Sequence, residues 1–162
     1  MPGLTDPYPA LQSFQQAHAA GQIDLQRGRL DRNLYLHVDQ PNGKPRFTYV
    51  RLSGQTVTCM VEFVVVEPVE GSPCFHVGYA VDPAHRGQGL AKGLLPAAIA
   101  ELQAGFGGAG MPGFYVEAIV SLDNPASQKV AAAGITQDIV EGTDHHTGLP
   151  IYQYLKKFET VR

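Results

Sequence analysis

The sequence predicts an α+β domain: a mixed, mostly antiparallel sheet of six to seven strands with a parallel central pair, flanked by about four helices. Three observations lead there. Between residues 34 and 81, apolar runs of strand character follow one another across turn-rich connections too short for a helix, as antiparallel neighbours do. Leu90, Leu94, Leu95, Ala98, Ile99 and Leu102 then recur at helical spacing and separate a strand at residues 75–81 from one at 114–120, so that those two run parallel through a right-handed crossover. The strand at 114–120 is apolar on both faces except for Glu117, which marks it as interior.

Composition sets the bounds. A chain of 162 residues, 44% hydrophobic and 17% charged, is one domain spanning residues 1–162. A chain of that size buries roughly 70% of its unfolded surface. A net charge of −3 argues against a nucleic-acid partner or an anionic membrane surface. No apolar run approaches a membrane span, and the N-terminal MPGLTDPYPA has neither the basic nor the hydrophobic region of a signal peptide, so a cytoplasmic location is expected. Cys59 and Cys74 lie in strands without any Cys/His cluster at ligand spacing, which makes them core thiols and predicts no structural metal.

In chain order, Leu11, Phe14 and Ala17 or His18 share one face of a helix over residues 8–20, stopped by Gly21. Residues 34–38 and 47–52 form a hairpin across the turn-rich 39–45. Residues 56–66 are the most β-branched run in the chain and make the next strand, and 67–73 lead back to the strand at 75–81. In that strand Phe75, Val77, Tyr79 and Val81 alternate with His76, Gly78 and Ala80. One face is therefore large and the other small, and something can approach the backbone closely on the small side. After the helix, residues 104–113 form a Gly-rich linker-like segment. Asn124 at the N-cap, Pro125 at N1 and Gly134 at C′ then bound a short helix. A final strand runs over 151–158.

The chemistry concentrates at Arg86, Gly87, Gln88, Gly89, Leu90, Ala91 and Lys92, where the strand turns into the helix. A helix N-terminus has unpaired N–H groups and partial positive charge, two glycines let backbone wrap an anion, and Arg86 and Lys92 add fixed charge. The combination fits a phosphate or pyrophosphate. It also fits a tight connection with no ligand. There is no Gly-Lys-Ser/Thr of a P-loop, and Gly93 comes one residue late for a dinucleotide fingerprint.

From Val81 through Asp82, Pro83, Ala84 and His85 to Ala91, this stretch resembles the acyl-CoA signature of the GNAT superfamily of N-acetyltransferases, Gln/Arg-x-x-Gly-x-Gly/Ala, complete at Arg86, Gly89 and Ala91. The resemblance covers roughly residues 57–135. It implies a GNAT-like fold and an acetyl-CoA-dependent transfer of an acetyl group directly to a primary amine. In that family the turn holds the coenzyme A pyrophosphate, and the preceding strand, here Tyr79, Ala80 and Val81, pairs with the pantetheine arm and offers an N–H to the thioester oxygen. The matching Asn124 and Ser127 contact the same arm. The wording of the motif is most similar to the branch that acetylates ribosomal-protein N-termini, which favours a protein or peptide amine over a small molecule as acceptor. Loops such as that of His145 and His146 line the acceptor groove in this family. The resemblance leaves monomer and homodimer open.

Amine attack needs a neutral amine, and a lysine-type amine has a pKa near 10.4, so a base is called for. Glu117 and Glu62 each interrupt an apolar strand, where desolvation raises a carboxylate's pKa towards that task. His76 is a third candidate. The tyrosine that many family members carry late in the helix after Asn124, as the acid for the departing thiolate, is replaced by Val130, Ala131, Ala132 and Ala133. Tyr152 and Tyr154 are the candidates to stand in for it. Two other readings compete: a non-catalytic acyl-CoA-binding regulatory module, and a phosphate-ligand or interaction domain whose Gly-rich turn is structural.

Overall fold

A computed structural model describes residues 6–161; Met1 to Thr5, part of the N-terminal stretch read above, and Arg162 lie outside it. Helix α1 (Tyr8–Ala19) is followed by β1 (Gln26–Arg27), β2 (Tyr35–Asp39), β3 (Arg46–Ser53), β4 (Thr56–Val69) and β5 (Ser72–Val81). Then come α2 (Leu90–Gly108), β6 (Gly113–Ser121), α3 (Pro125–Gly134), β7 (Ile139–Thr143) and β8 (Pro150–Glu159). The eight strands form one sheet in the order β1-β2-β3-β4-β5-β6-β8-β7, with β5–β6 parallel. The chain divides into two compact units, residues 6–64 with 78–101 and residues 65–77 with 102–161.

In the first unit β2, β3 and β4 form an antiparallel meander, from Tyr35↔Val50 and Arg46↔Val64 to Ser53↔Thr56. Leu11 and Phe14 of α1 pack on Val50, Val57, Met60 and Ala80, the buried side of those strands. Each such side chain contributes roughly 1.5–3 kcal/mol on leaving water. Gln15 fastens the helix to the β3–β4 turn: its Oε1 accepts from Val57 N at 2.6 Å and its Nε2 donates to Gln55 O at 3.2 Å.

In the second unit β6 is the interior strand. It pairs antiparallel with β8 along its whole length, from Gly113↔Glu159 to Ser121↔Ile151, and parallel with β5 over Cys74↔Tyr115, Phe75↔Val116 and His76↔Glu117. Side chains alternate across the pleat. Phe114, Val116, Ala118 and Val120 are buried. Phe75, Phe106, Phe114 and Phe158 form one aromatic cluster with ring centroids 5.3–6.0 Å apart, Phe75–Phe106 and Phe114–Phe158 stacked and Phe114 edge-on to Phe75 and Phe106. The opposite face carries Tyr115 and Glu117.

Several boundaries differ from the sequence reading. Among the described residues the sheet has eight strands where six to seven were expected, because the two-residue β1 carries no alternation to read, and there are three α-helices where about four were expected. Strand β4 runs through Glu67 and Pro68 to Val69 and β5 starts at Ser72, so Glu70 and Gly71, with φ of 49° and 80°, make a tight hairpin of the expected long connection. Gly134 ends α3 inside the helix instead of standing at C′, and the cap is Ile135, whose N–H donates to Ala131 O at 2.8 Å.

Of the Gly-rich segment at residues 104–113, residues 104–108 are the last part of α2 and only 109–112 connect it to β6. Packing decides it. Val161 N donates to Gln103 O at 3.0 Å and Gln103 Nε2 to Glu159 O at 2.8 Å, so the C-terminal backbone lies directly on the helix. A Cβ on Gly107 would stand 1.9 Å from Val161 O. Gly107→Ala therefore displaces that segment and lowers stability by about 1–3 kcal/mol. Gly105 has open space around its Cβ position, and Gly105→Ala gains roughly 0.5–1 kcal/mol of helix stability. Urea unfolding of the two variants beside the parent checks the opposite signs.

Candidate active site

The turn between β5 and α2 is built almost wholly from backbone. Asp82 N donates to Thr58 O at 2.9 Å, His85 N to Asp82 O at 2.8 Å, and His85 Nδ1 meets Asp82 Oδ2 at 2.8 Å, so one compact 3-10 turn (Pro83–His85) ends the strand. Gly87 and Gly89 follow with φ of 80° and 72°, backbone that an L side chain rarely adopts. No heavy atom lies within 4 Å of the Cβ positions of Gly87, Gly89 or Gly93. The glycines are thus required by the path of the chain and leave room along it. The first N–H of α2 to close on this turn is that of Gly93, onto Gly89 O at 3.1 Å, so those of Leu90, Ala91 and Lys92 precede the intrahelical ladder.

Arg86 is held in place. Its Nε donates to Val81 O at 3.2 Å and its guanidinium lies 5.3 Å from the centroid of the Tyr8 ring. Two contacts order a long side chain whose other N–H groups retain their charge for an anion. Tyr8 carries no motif, and the sequence reading missed it; it lies too far from the turn in the chain to be paired with Arg86 by spacing. Lys92 is exposed in the first turn of α2, and Gln88 is exposed between the glycines. Ala80 is buried among α1 and β-strand side chains, while Tyr79 and Val81 are half-buried.

The second unit brings His76 and Glu117 together. They are register partners on one face of the parallel pair, with His76 Nδ1 3.5 Å from Glu117 Oε1, and their side chains are 15% and 8% exposed. That spacing is longer than a short hydrogen bond, and neither atom has another hydrogen-bond partner among the described residues. Gln153 of β8 donates Nε2 to the other oxygen, Oε2, at 2.8 Å. Burial pushes the Glu117 carboxyl up, but His76 and Gln153 as donors, with the charge of His76, outweigh it, and the net shift is downward. The expectation of a carboxylate lifted by desolvation is corrected here: hydrogen-bond donors and a potential cation face it in the same pocket of the sheet. A depressed carboxylate is a poor base and a good anchor for an imidazole.

Glu62 stands in a different setting. It pairs with Thr48 across β3–β4, and its charge is felt by Arg46, which Asp39 holds bidentately at 2.9 and 2.5 Å. Asn124 caps α3 as its sequence predicts, Oδ1 accepting from Ser127 N at 3.1 Å. Tyr154 is buried, and that burial first, then Tyr152, raises its phenol, which weakens it as a proton donor. His145 and His146 are exposed on a loop folded around Asp144, which accepts from Thr147 N at 2.9 Å and Thr147 Oγ1 at 2.6 Å. Among the described residues no three His, Cys, Asp or Glu side chains converge as a metal site. Both cysteines are free and buried; burial raises both thiols, Cys74 to about 11.

The profile of the Acetyltransferase (GNAT) family matches residues 13–134, from α1 through the glycine turn to the end of α3. No curated protein matches the sequence. Among solved structures, an acetyltransferase of the GNAT family from Streptococcus pneumoniae superposes with a TM-score of 0.53 at 14% identity, over 70% of this chain and 66% of that one. The ribosomal-protein-S5-alanine acetyltransferase from Vibrio fischeri superposes with a TM-score of 0.50 at 19% identity, over 71% of this chain and 62% of that one. The chain thus spans less than two thirds of the length of either, and at such identities the likeness is one of fold. With a family profile matched over most of its length and the acyl-CoA signature complete within that match, the chain belongs to the GNAT acetyltransferase family.

Proposed function

We propose that the protein is an acetyl-CoA-dependent N-acetyltransferase acting on a primary amine, a protein or peptide N-terminus before a small molecule, in the cytoplasm. The observation that carries the reading is the glycine turn, whose positive φ values and open Cβ positions stand at the N-terminus of α2 beside the ordered Arg86. N–H groups from Gly87 to Lys92, with the charges of Arg86 and Lys92, would hold the pyrophosphate. Tyr79, Ala80 and Val81 would pair with the pantetheine arm, with Asn124 and Ser127 as further contacts, and the N–H of Ala80 or Val81 would stabilise the oxyanion.

The amine nitrogen attacks the thioester carbonyl, the C–N bond forms, the C–S bond breaks, and the sulfur leaves with the bonding pair. The amine proton passes to His76, whose ring faces Glu117 Oε1 while Gln153 donates to the other carboxylate oxygen. Glu62, the other candidate, stands opposite Thr48 in the β3–β4 register. A thiol of pKa about 8.5 leaves tolerably near neutral pH without an acid.

Titration calorimetry tests the cradle. Wild-type protein binds acetyl-CoA with micromolar affinity, and Gly89→Glu abolishes binding. Because a side chain at φ 72° is strained in any case, Lys92→Glu is the second variant. An acidic residue in the first turn of a helix suits its dipole, so Lys92→Glu stays folded yet loses about tenfold or more in affinity. Absence of binding by folded wild-type protein overturns the reading. Binding without thiol release across a panel of amines would favour a non-catalytic acyl-CoA module, which the missing tyrosine at Val130, Ala131, Ala132 and Ala133 also fits.

Two substitutions test the proton path. His76→Gln lowers kcat by roughly 10²–10⁴ and leaves acetyl-CoA affinity unchanged. Since the Glu117 pKa is depressed on folding, its stabilisation is fully present above the ordinary carboxylate range and is lost as pH falls through the lowered value. Glu117→Gln is accordingly less stable than wild type at pH 7, by about 1–3 kcal/mol, and the gap closes below about pH 4. Thermal melts of both proteins from neutral to acid pH check it.

A further inference from the structure

Between β1 and β2 the chain reads Arg27, Gly28, Arg29, Leu30, Asp31, Arg32, Asn33, and nothing in the proposed reaction uses it. Its shape is set from below. Glu101, a buried carboxylate on the core face of α2, accepts from Arg29 N and Leu30 N at 2.7 Å each and from Asp31 N at 3.0 Å. Gly28 N donates to Leu34 O at 2.7 Å and closes the loop, and a Cβ on Gly28 would stand 2.4 Å from Asp31 O. Arg51 holds the far side, donating to Asn33 O at 3.1 Å and to Asp31 Oδ2 at 2.8 Å. This loop is fixed in one conformation.

That scaffold explains the backbone but not the side chains it presents. Arg27, Arg29 and Arg32 are exposed, and among the described residues none pairs with a carboxylate. Of the nearby acids, Asp31 is engaged by Arg51 and Glu101 by backbone N–H groups, while Asp24 is exposed and forms no ion pair with these arginines among the described residues. Two of the arginines are pre-positioned by neutral partners: Arg27 Nη2 donates to Tyr35 Oη at 3.1 Å with its guanidinium 5.4 Å from the ring centroid, and Arg32 Nη1 donates to Gly28 O at 2.9 Å. Leu30, at the centre, is 63% exposed. In a chain of net charge −3, three uncompensated guanidinium forks around an exposed leucine are a local reversal of sign.

We propose that the loop at residues 27–33 is a preformed docking platform for an acidic segment of another polypeptide, whose carboxylates take the guanidinium forks and whose apolar side chain covers Leu30. A polypeptide fits better than a nucleic acid. The footprint is one closed turn, the Tyr35 ring is covered by Arg27 instead of open for a base to stack on, and the overall negative charge repels a long polyanion. The platform does not depend on acetyl transfer, so its test is a binding test.

The full chain is titrated into three fluorescein-labelled probes: an Asp/Glu-rich peptide of about ten residues with one central Leu, the same peptide with Gln and Asn for its acids, and an oligouridylate of equal length. The acidic peptide binds, with affinity falling as salt rises, and the other two bind about tenfold weaker or worse. Replacing Arg27, Arg29 and Arg32 together by Gln removes the binding, and Leu30→Ser weakens it several-fold, while the melting temperature and acetyl-CoA affinity stay as in wild type. Glu101→Gln separates geometry from charge. It makes the region more positive while weakening the hold on the loop, so a platform loses affinity and a mere patch of charge gains it. Oligouridylate binding as tight as the acidic peptide, unchanged affinity in the triple variant, or tighter binding by Glu101→Gln overturns the proposal. Should Glu101→Gln fail to fold, the surface variants decide.

Discussion

A carboxylate taken out of water must find its compensation inside the protein, and two glutamates answer that constraint in ways that order the chain around them. Glu101 meets three consecutive backbone N–H groups, which no strand or helix would have satisfied, and in doing so turns residues 29–31 into a fixed loop. Glu117 meets two side chains, His76 on β5 and Gln153 on β8, the strands that flank β6 on either side. In the first case the carboxylate buys shape. In the second it sets the position of a titratable ring, which is a chemical outcome rather than a structural one.

Helix α2 shows the same economy along its length. At its start the glycine turn leaves backbone N–H groups and space around them; in its middle Glu101 reaches out of the buried stripe of Leu94, Leu95, Ala98, Ile99 and Leu102; near its end Gly107 has no side chain because the backbone of Val161 lies there. A uniform amphipathic helix would supply only the apolar stripe. Each departure from uniformity corresponds to something the helix must hold.

Those departures also mark the limit of what the residues disclose unaided. The parallel β5–β6 pair was legible, because an amphipathic helix between two strands admits little else. The start of α3 was legible at Asn124 and Pro125, where the signal is local and the cap is made by residues three apart. The end of α2 was not: glycines at 105, 107 and 108 argue against helix by propensity, and only the contact with Val161, far along the chain, overrides them. Glu117 was visible as an anomaly in an apolar strand, yet the direction of its pKa was not, because the sign depends on His76 and Gln153, which reach it through register rather than spacing. Glu101 could have been noticed on the same ground, as a charge in the helix's buried stripe.

The absent tyrosine in α3 fits this picture. Val130, Ala131, Ala132 and Ala133 carry no phenol where the family resemblance expects one, and Ala131 is fully buried, so a larger side chain at that position would displace its neighbours. Tyr154 does not replace it well, since burial raises its phenol and strengthens its hold on the proton. Chemistry relieves the demand: a thiolate is a stable anion at a pH only slightly above neutral, whereas the protonated amine of the acceptor is not a nucleophile at all. Of the two proton transfers in acetyl transfer, removal from the amine is the one that needs a group held in place, the role proposed above for His76 beside Glu117.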